Sequence, residues 1–267
     1  MLTPWAFVKR DFSRDISYRL SFLMQLGGIF FNIAVFYFMS RLLGDSVAPQ
    51  LEEYGGDYFS FVLIGLAFTG FMGISLSNFA QSIREGQMMG TLEMMLLSPT
   101  RLSVILMSSS LWGFVLTIFR VVMYLIVGSL LFGADLSNTN IGGAILIMML
   151  SVLSFSGIGI LSAAVVLLVK KGDPVAWLLG SASSLLAGVY YPVTVLPQWL
   201  EPVSRILPLT YALDSIRLVV LQGYSLSEVR NDIFVLLGFV IVLTPLSLMA
   251  FRAALKRAKK DGSLIQY

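Results

Sequence analysis

Six stretches of this chain run long with almost no charge: Leu20–Leu43, Tyr58–Ile83, Leu102–Phe132, Ile141–Val169, Pro174–Tyr191 and Ile233–Phe251. At about 1.5 Å of rise per helical residue, roughly 20 residues cross a 30 Å hydrocarbon layer, so each stretch reads as a membrane span. The third and fourth exceed that need and must tilt or extend past the membrane. Composition agrees: 57% of the 267 residues are hydrophobic and 12% charged, against about 45–50% and 25% in soluble domains. There is too little polar surface to coat a water-soluble globule. The expected fold is an all-α membrane protein of six transmembrane helices, with 20–251 as a single membrane domain.

Charge placement orients these spans, because short cytoplasmic loops are enriched in Lys and Arg. Lys9, Arg10, Arg14 and Arg19 precede the first span, Arg84 and Arg101 flank the second loop, and Lys170 and Lys171 join the fourth span to the fifth. The tail over 252–267 carries Arg252, Lys256, Arg257, Lys259 and Lys260, whereas Asp45, Glu52, Glu53, Asp57 and Asp135 occupy the opposite loops. Both termini therefore read as cytoplasmic, in a multi-pass protein of the cell membrane. The net charge of +3 is too small to argue for nucleic acid.

The stretch Pro192–Gln222 is apolar but holds Pro192, Pro197, Pro202 and Pro208 together with Glu201, Arg205, Asp214 and Arg217. Charges at mid-bilayer cost roughly 2.5–3.5 kcal/mol each on insertion scales, which argues against a simple span. A seventh span would also carry the basic tail outside. The expectation is two short helices, Gln198–Leu207 and Tyr211–Gln222, broken at Pro208 and re-entering the outer leaflet, which is allowed only where protein or water satisfies the broken backbone.

At the N-terminus, Trp5, Val8, Phe12 and Ile16 recur at helical spacing while Lys9, Arg10 and Arg14 occupy other faces. The segment 1–19 reads as an amphipathic helix on the inner membrane surface or as a cytoplasmic extension of the first span. Asp11 and Asp15 interrupt it, so it is no cleavable signal. The chain has neither Cys nor His, which removes disulfides, thiolate metal sites and the commonest general base. No metal site is expected. Arg120 is the one charge deep in an apolar run and is a candidate conduit charge; it would alternatively pair with carbonyls, Glu201 or Asp214, or snorkel to an interface. Gln25 and Asn78 read as hydrogen-bonding groups between helices.

The loop Arg84–Arg101 reads REGQMMGTLEMMLLSPTR. Thr91–Leu97 has helical spacing, Gly90 permits a sharp entry and Pro99 stops the helix. Leu92, Met95 and Leu96 share one face, and such an apolar face needs a partner surface, or else rests on the bilayer. Gly90-Thr91-Leu92-Glu93, then Met95-Leu96 and Ser98-Pro99, resembles the cytoplasmic signature of type-2 permeases of the ATP-binding-cassette transporters. Gly188-x-Tyr190-Tyr191-Pro192, Leu196-Pro197-x-Trp199-Leu200 and Leu207-Pro208-Leu209-Thr210-Tyr211-x-x-Asp214-x-x-Arg217 are similar to that family's C-terminal signature.

That resemblance implies a coupling helix docking on a cytoplasmic ATPase, with Gly90, Thr91, Leu92, Glu93, Met94 and Met95 in contact and Arg84 and Glu85 at the rim. It implies a re-entrant gate built from Tyr191, Pro192, Pro197, Trp199, Pro208, Tyr211, Asp214 and Arg217. Two copies of the ATPase, a second permease subunit in a homodimer, and membrane lipids are the implied partners. The chain has no G-x-x-x-x-G-K-[ST] loop, so no cofactor is expected on it; ATP and Mg would sit on the ATPase subunit. The expected function is therefore the transmembrane subunit of an exporter for a drug, lipid, glycolipid or polysaccharide, without its own ATPase site. A secondary transporter or channel is the alternative, although ion coupling ordinarily uses acids within spans and these runs have none.

Overall fold

The computed structural model describes residues 9, 12, 19–88, 90, 102–169 and 173–260, among which there is no strand. The helices are α1 (Arg19–Leu43), α2 (Tyr58–Met88), α3 (Leu102–Phe132), α4 (Ile141–Val169), α5 (Pro174–Leu186), α6 (Glu201–Ser204), α7 (Pro208–Leu221) and α8 (Arg230–Lys260). A 3-10 segment, Gly44–Tyr54, joins α1 to α2, and a short one covers Val193–Val195. Five of the helices are long and apolar enough to cross a membrane: α1, α2, α3, α4 and α8. The large apolar side chains left exposed on them, such as Phe31, Phe38, Leu130, Ile241 and Met249, face outward from the bundle, as they must where the solvent is lipid.

The core lies along α2 and α4. Phe61, Phe68, Phe71 and Phe79 line up on α2 as fully buried rings, and Phe155 of α4 meets Phe71 edge-on with centroids 6.1 Å apart. Without a hydrophobic drive between helices in lipid, close approach through small residues supplies the contact energy. Gly159 of α4 is such a point, since a Cβ there would lie 2.5 Å from the Ser75 carbonyl of α2. Gly157 plays the same part toward Leu243 of α8, where a Cβ would fall 2.8 Å away. The Ser154 hydroxyl sits within hydrogen-bond reach of the Leu150 carbonyl at 2.9 Å and of the Leu236 carbonyl of α8 at 3.2 Å.

Helix starts follow local chemistry. Asp57 accepts from the backbone N–H groups of Phe59 and Ser60 at 3.2 and 2.9 Å, an N-cap that opens α2. Asp173 caps α5, accepting from Ala176 N–H at 3.0 Å and from the Ser162 hydroxyl, and Pro174 fills the first position, where a missing N–H costs nothing.

Three expectations need correction. The fifth apolar run is helical only over Pro174–Leu186, 13 residues or about 20 Å, which is too short to cross the hydrocarbon alone. It stops because Ala187 is the C-cap and Gly188 adopts φ +81°. The first of the two helices expected to re-enter the membrane is a single turn, Glu201–Ser204, rather than Gln198–Leu207. The second runs Pro208–Leu221 rather than Tyr211–Gln222, with Pro208 at its first turn instead of between two helices. Leu207 before it is extended, φ −89° and ψ 125°, as the residue preceding proline should be. The amphipathic helix expected over 1–19 lies outside the described residues apart from Lys9, Phe12 and Arg19; the Phe12 ring meets Trp112 of α3 edge-on with centroids 5.2 Å apart.

Candidate functional site

Two of the charged residues that make Pro192–Gln222 unlike a span, Asp214 and Arg217, lie on α7. Twelve of its fourteen residues are buried, Arg217 among them at 2% exposure. A helix apolar nearly all round belongs inside a protein, and α7 packs against α4, α8 and α2. Burying a guanidinium is costly unless each donor finds an acceptor. Here Nε donates to the Phe61 carbonyl at 3.2 Å, Nη1 to that of Gly188 at 2.8 Å and Nη2 to that of Val189 at 3.0 Å. The Gly188 and Val189 carbonyls are free to accept because the chain has already left α5. The Phe61 ring lies under the guanidinium at 3.4 Å from Cζ, and the Tyr54 ring at 5.9 Å, so cation–π attraction adds to the hydrogen bonds.

Two residues make that geometry possible. Gly65, one turn after Phe61 on α2, has no side chain where the loop crosses: a Cβ there would stand 2.2 Å from the Val189 oxygen and 2.8 Å from Arg217 Nη2. Tyr54, at the end of the 3-10 segment, donates its hydroxyl to Asp214 one turn before Arg217. The 3-10 segment is held in place by Leu51, 1% exposed and packed with Phe61, Val62 and Leu66. One polar cluster thus ties the α1–α2 connection, α2, the loop after α5 and α7 together.

Around it lies a cavity of about 240 Å³, lined among others by Glu53, Tyr211, Asp214, Arg205 and Asp232. The rest of the expected gate surrounds this cavity or lies close by. Tyr211 donates to the Arg205 carbonyl at 2.9 Å and Tyr191 to the Leu185 carbonyl. Pro192 is buried in extended conformation and caps the Val193–Val195 turn, and the Pro197 carbonyl accepts from Leu200 N–H at 2.8 Å. Trp199 is 73% exposed, and Pro208 opens α7. Arg205 pairs with Glu201 at 2.5 Å on an exposed turn, where an ion pair is worth about 0–1 kcal/mol.

Arg120 takes neither Glu201 nor Asp214 as its partner. Its Nη2 donates to Gln25 Oε1 of α1 at 2.7 Å, which links α3 to α1. Of the expected coupling residues, Arg84 and Glu85 fall at the end of α2, and Gly90 has φ +65°, a left-handed conformation that favours glycine. Thr91, Leu92, Glu93, Met94 and Met95 lie outside the described residues. Sequence reading misses Tyr54 and Gly65. A tyrosine 160 positions from its carboxylate partner leaves no pattern in sequence, and Gly65 looks like any small residue in a span.

Burial, with Asp214 beside it, holds the Tyr54 phenol well above the ordinary tyrosine range. A raised folded-state value favours the fold at pH below the unfolded value near 10, and that contribution is lost as pH climbs above it. Tyr54→Phe is therefore expected to lower stability by about 1–2 kcal/mol near neutrality, the cost of one buried hydrogen bond left half-made, and to flatten the alkaline loss seen in the parent protein. Thermal unfolding in lipid nanodiscs, compared between neutral and strongly alkaline pH, reads both effects.

The cluster draws on the α1–α2 connection and on the second half of the chain, and both fall within one family match. Residues 5–221 match the family of ABC-2 type transporters. The chain belongs to that family. The ABC-2 match closes at the last residue of α7, so it takes in the Arg84–Arg101 loop and the whole Tyr54–Asp214–Arg217 cluster. This ABC-2 chain is also similar to the linearmycin resistance permease protein LnrN of Bacillus subtilis (strain 168), at 23% identity over 142 residues. That alignment covers 50% of the chain but 37% of LnrN, so the chain spans well under two thirds of that relative's length. As an ABC-2 family member with several long apolar helices, it is a multi-pass membrane protein.

Proposed function

We propose that this chain is the transmembrane permease subunit of an ATP-driven exporter, moving a lipophilic or lipid-linked solute outward by alternating access. The observation that carries the reading is the ABC-2 match across residues 5–221, which takes in both the cytoplasmic loop and the outer cap. Energy comes from a separate cytoplasmic ATPase, present in two copies and holding ATP with its magnesium. The segment Thr91–Leu97 is the coupling helix, with Thr91, Leu92, Glu93, Met94 and Met95 in the ATPase contact and Arg84 and Glu85 at its edge. Met88, 70% exposed at the end of α2, starts the apolar surface that an ATPase cleft would cover. Two permease chains pair, most simply two copies of this one, with the path between them and both termini on the ATPase side.

The Tyr54–Asp214–Arg217 cluster is the fixed frame of the outer gate. Tyr191, Pro192, Pro197, Trp199, Pro208 and Tyr211 shape the turns around it. Arg120, tied to Gln25, orients α3 against α1; an Arg120→Ala variant with unchanged transport would remove it from the conduit. Co-purification with the partner ATPase, followed by solute-stimulated ATP hydrolysis in liposomes, tests the assignment. Leu92→Asp combined with Glu93→Arg is expected to abolish both complex formation and stimulation while leaving the permease folded; an intact, stimulated complex would sink the coupling-helix reading. Transport that follows a proton gradient in the absence of ATP would instead point to a secondary transporter.

A further inference from the structure

Arg120 stands apart from the Tyr54–Asp214–Arg217 cluster. It lies half-buried on α3 among apolar residues, with Phe119 and Val122 near it exposed on the bundle surface. A guanidinium carries five N–H donors, and taking its charge out of water is costly until those donors are matched. Arg217 meets that cost with three carbonyls, one for each nitrogen. Arg120 has one acceptor, Gln25 Oε1 at 2.7 Å. No carboxylate among the described residues lies within ion-pairing distance of it. A cation within an apolar run is thus left without an anion among the described residues.

The seam between α1 and α3 sets how deep this group sits. The two helices run parallel: Gln25 meets Arg120, and further along Phe30 and Tyr37 meet Phe132 with ring centroids 5.7 and 5.0 Å apart. On α1, Gln25 follows the first residue, Arg19, by six positions, about 9 Å along the axis. On α3, Arg120 follows Trp112 by eight positions, about 12 Å. Tryptophan gathers at membrane interfaces, and Trp112 meets Phe12 of the basic N-terminal segment edge-on. Long side chains on a helix lean toward its N-terminus, and an arginine stem covers apolar distance while its head reaches polar surroundings. Both distances put the guanidinium within reach of the headgroup boundary at the end where α1 and α3 begin, the cytoplasmic end on the charge pattern. Gln25 is exposed, so the seam opens to the bilayer there. Because its Oε1 accepts from Arg120, its Nε2 remains a donor, with no hydrogen bond to any described residue. Unmatched guanidinium and amide N–H groups therefore stand together on one lipid-facing seam. Phosphate oxygens fit a guanidinium fork, and a basic pocket between spans near that boundary suits an anionic head group.

We propose that Arg120 and Gln25 bind the phosphate of an anionic phospholipid, held in this seam as a resident lipid and not as the transported solute. Arg120 supplies the charge and the fork; Gln25 positions it through the Nη2 hydrogen bond and adds an amide donor. A zwitterionic head group brings its own cation, so phosphatidylglycerol is favoured over phosphatidylcholine. The site does not rest on the permease reading, because lipid retention needs no ATPase. The test offers the full chain, in detergent micelles, equal amounts of the two lipids with matched acyl chains, and native mass spectrometry counts what is retained. The parent should keep one phosphatidylglycerol more than its Arg120→Gln variant. Its preference for that lipid should be about tenfold or more, the worth of one hydrogen bond to a charged group. A phosphatidylglycerol with a photoactivatable group near its head should label peptides covering 19–30 and 111–124.

Arg120→Gln removes the cation and is expected to bring the preference close to parity. Gln25→Glu gives Arg120 an internal counter-ion and keeps the link between α1 and α3. It should abolish the preference without lowering thermal stability, an outcome that a merely structural role for the pair does not produce. It also decides the question where Arg120→Gln fails to fold. Undiminished preference in Gln25→Glu, equal retention of phosphatidylcholine by the parent, or label confined to the basic tail over 252–260 would overturn the proposal. Displacement of the label by inorganic phosphate would mark a site for soluble anions instead and overturn the lipid assignment.

Discussion

Arg217→Ala is expected to cost about 3–5 kcal/mol and to release the end of the bundle where α7 meets the loop after α5. The guanidinium is 2% exposed and donates to three carbonyls from two separate parts of the chain. Removing it strands the Gly188 and Val189 oxygens in a buried site without a helical donor, and an unsatisfied buried group costs about 1–3 kcal/mol. Phe61 loses its cation as well, worth about 2 kcal/mol when desolvated. Arg217→Lys keeps the charge but has no planar fork to span carbonyls on two elements. It should therefore recover less than half of the loss. Thermal unfolding in nanodiscs, with limited proteolysis at the loop after α5, measures both; a lysine variant as stable as the parent would show that charge rather than geometry holds the cap.

The membrane bundle is legible in sequence because bilayer thickness is a strong constraint and charge is rare. Four of the expected spans, Leu20–Leu43, Tyr58–Ile83, Leu102–Phe132 and Ile141–Val169, correspond closely to α1–α4. The Pro174–Tyr191 run departs from expectation for a reason hydropathy cannot register. Gly188 turns the chain at φ +81°, and the carbonyls it frees are consumed by Arg217 rather than by another helical turn. The same blindness applies to Pro208, which marks a break in the sequence but serves as a helix start once Leu207 is extended. Charges at Asp214 and Arg217 rightly signal a segment shielded from lipid. Their partners are hidden, since Tyr54, Phe61 and the 188–189 loop are far away in sequence and the acceptors of Arg217 are backbone carbonyls. For Arg120 the difficulty is the opposite: acids look like its natural partners, whereas the amide of Gln25 on α1 is the group within reach.

Gly65 is where the same argument gives a sharper test, because it adds atoms instead of removing them. A Cβ at this position would lie 2.2 Å from the Val189 oxygen and 3.1 Å from its carbonyl carbon, as well as 2.8 Å from Arg217 Nη2. Backbone atoms cannot step aside as a flexible side-chain end can, so either α2 or the 188–189 loop must move. Overpacking of this kind costs about 1–3 kcal/mol and occasionally more. Gly65→Ala is expected at the upper end of that range, and Gly65→Val above it, since a branched side chain meets the same oxygen with two more carbons. The carbonyl being pushed is the one that Arg217 holds, so the two sites share one contact and their effects should not add. In an Arg217→Ala background the loop is already loose, and Gly65→Ala should then cost less than about half its value in the parent protein. Gly70 and Gly73, later on the same helix, would place a Cβ with nothing within 4 Å of it; alanine there should be neutral or stabilising by about 0.5–1 kcal/mol through helix propensity. A four-variant unfolding cycle in nanodiscs, with Gly73→Ala as the internal control, reads the coupling directly. Full additivity between positions 65 and 217 would mean that the 188–189 loop is held by contacts other than the arginine.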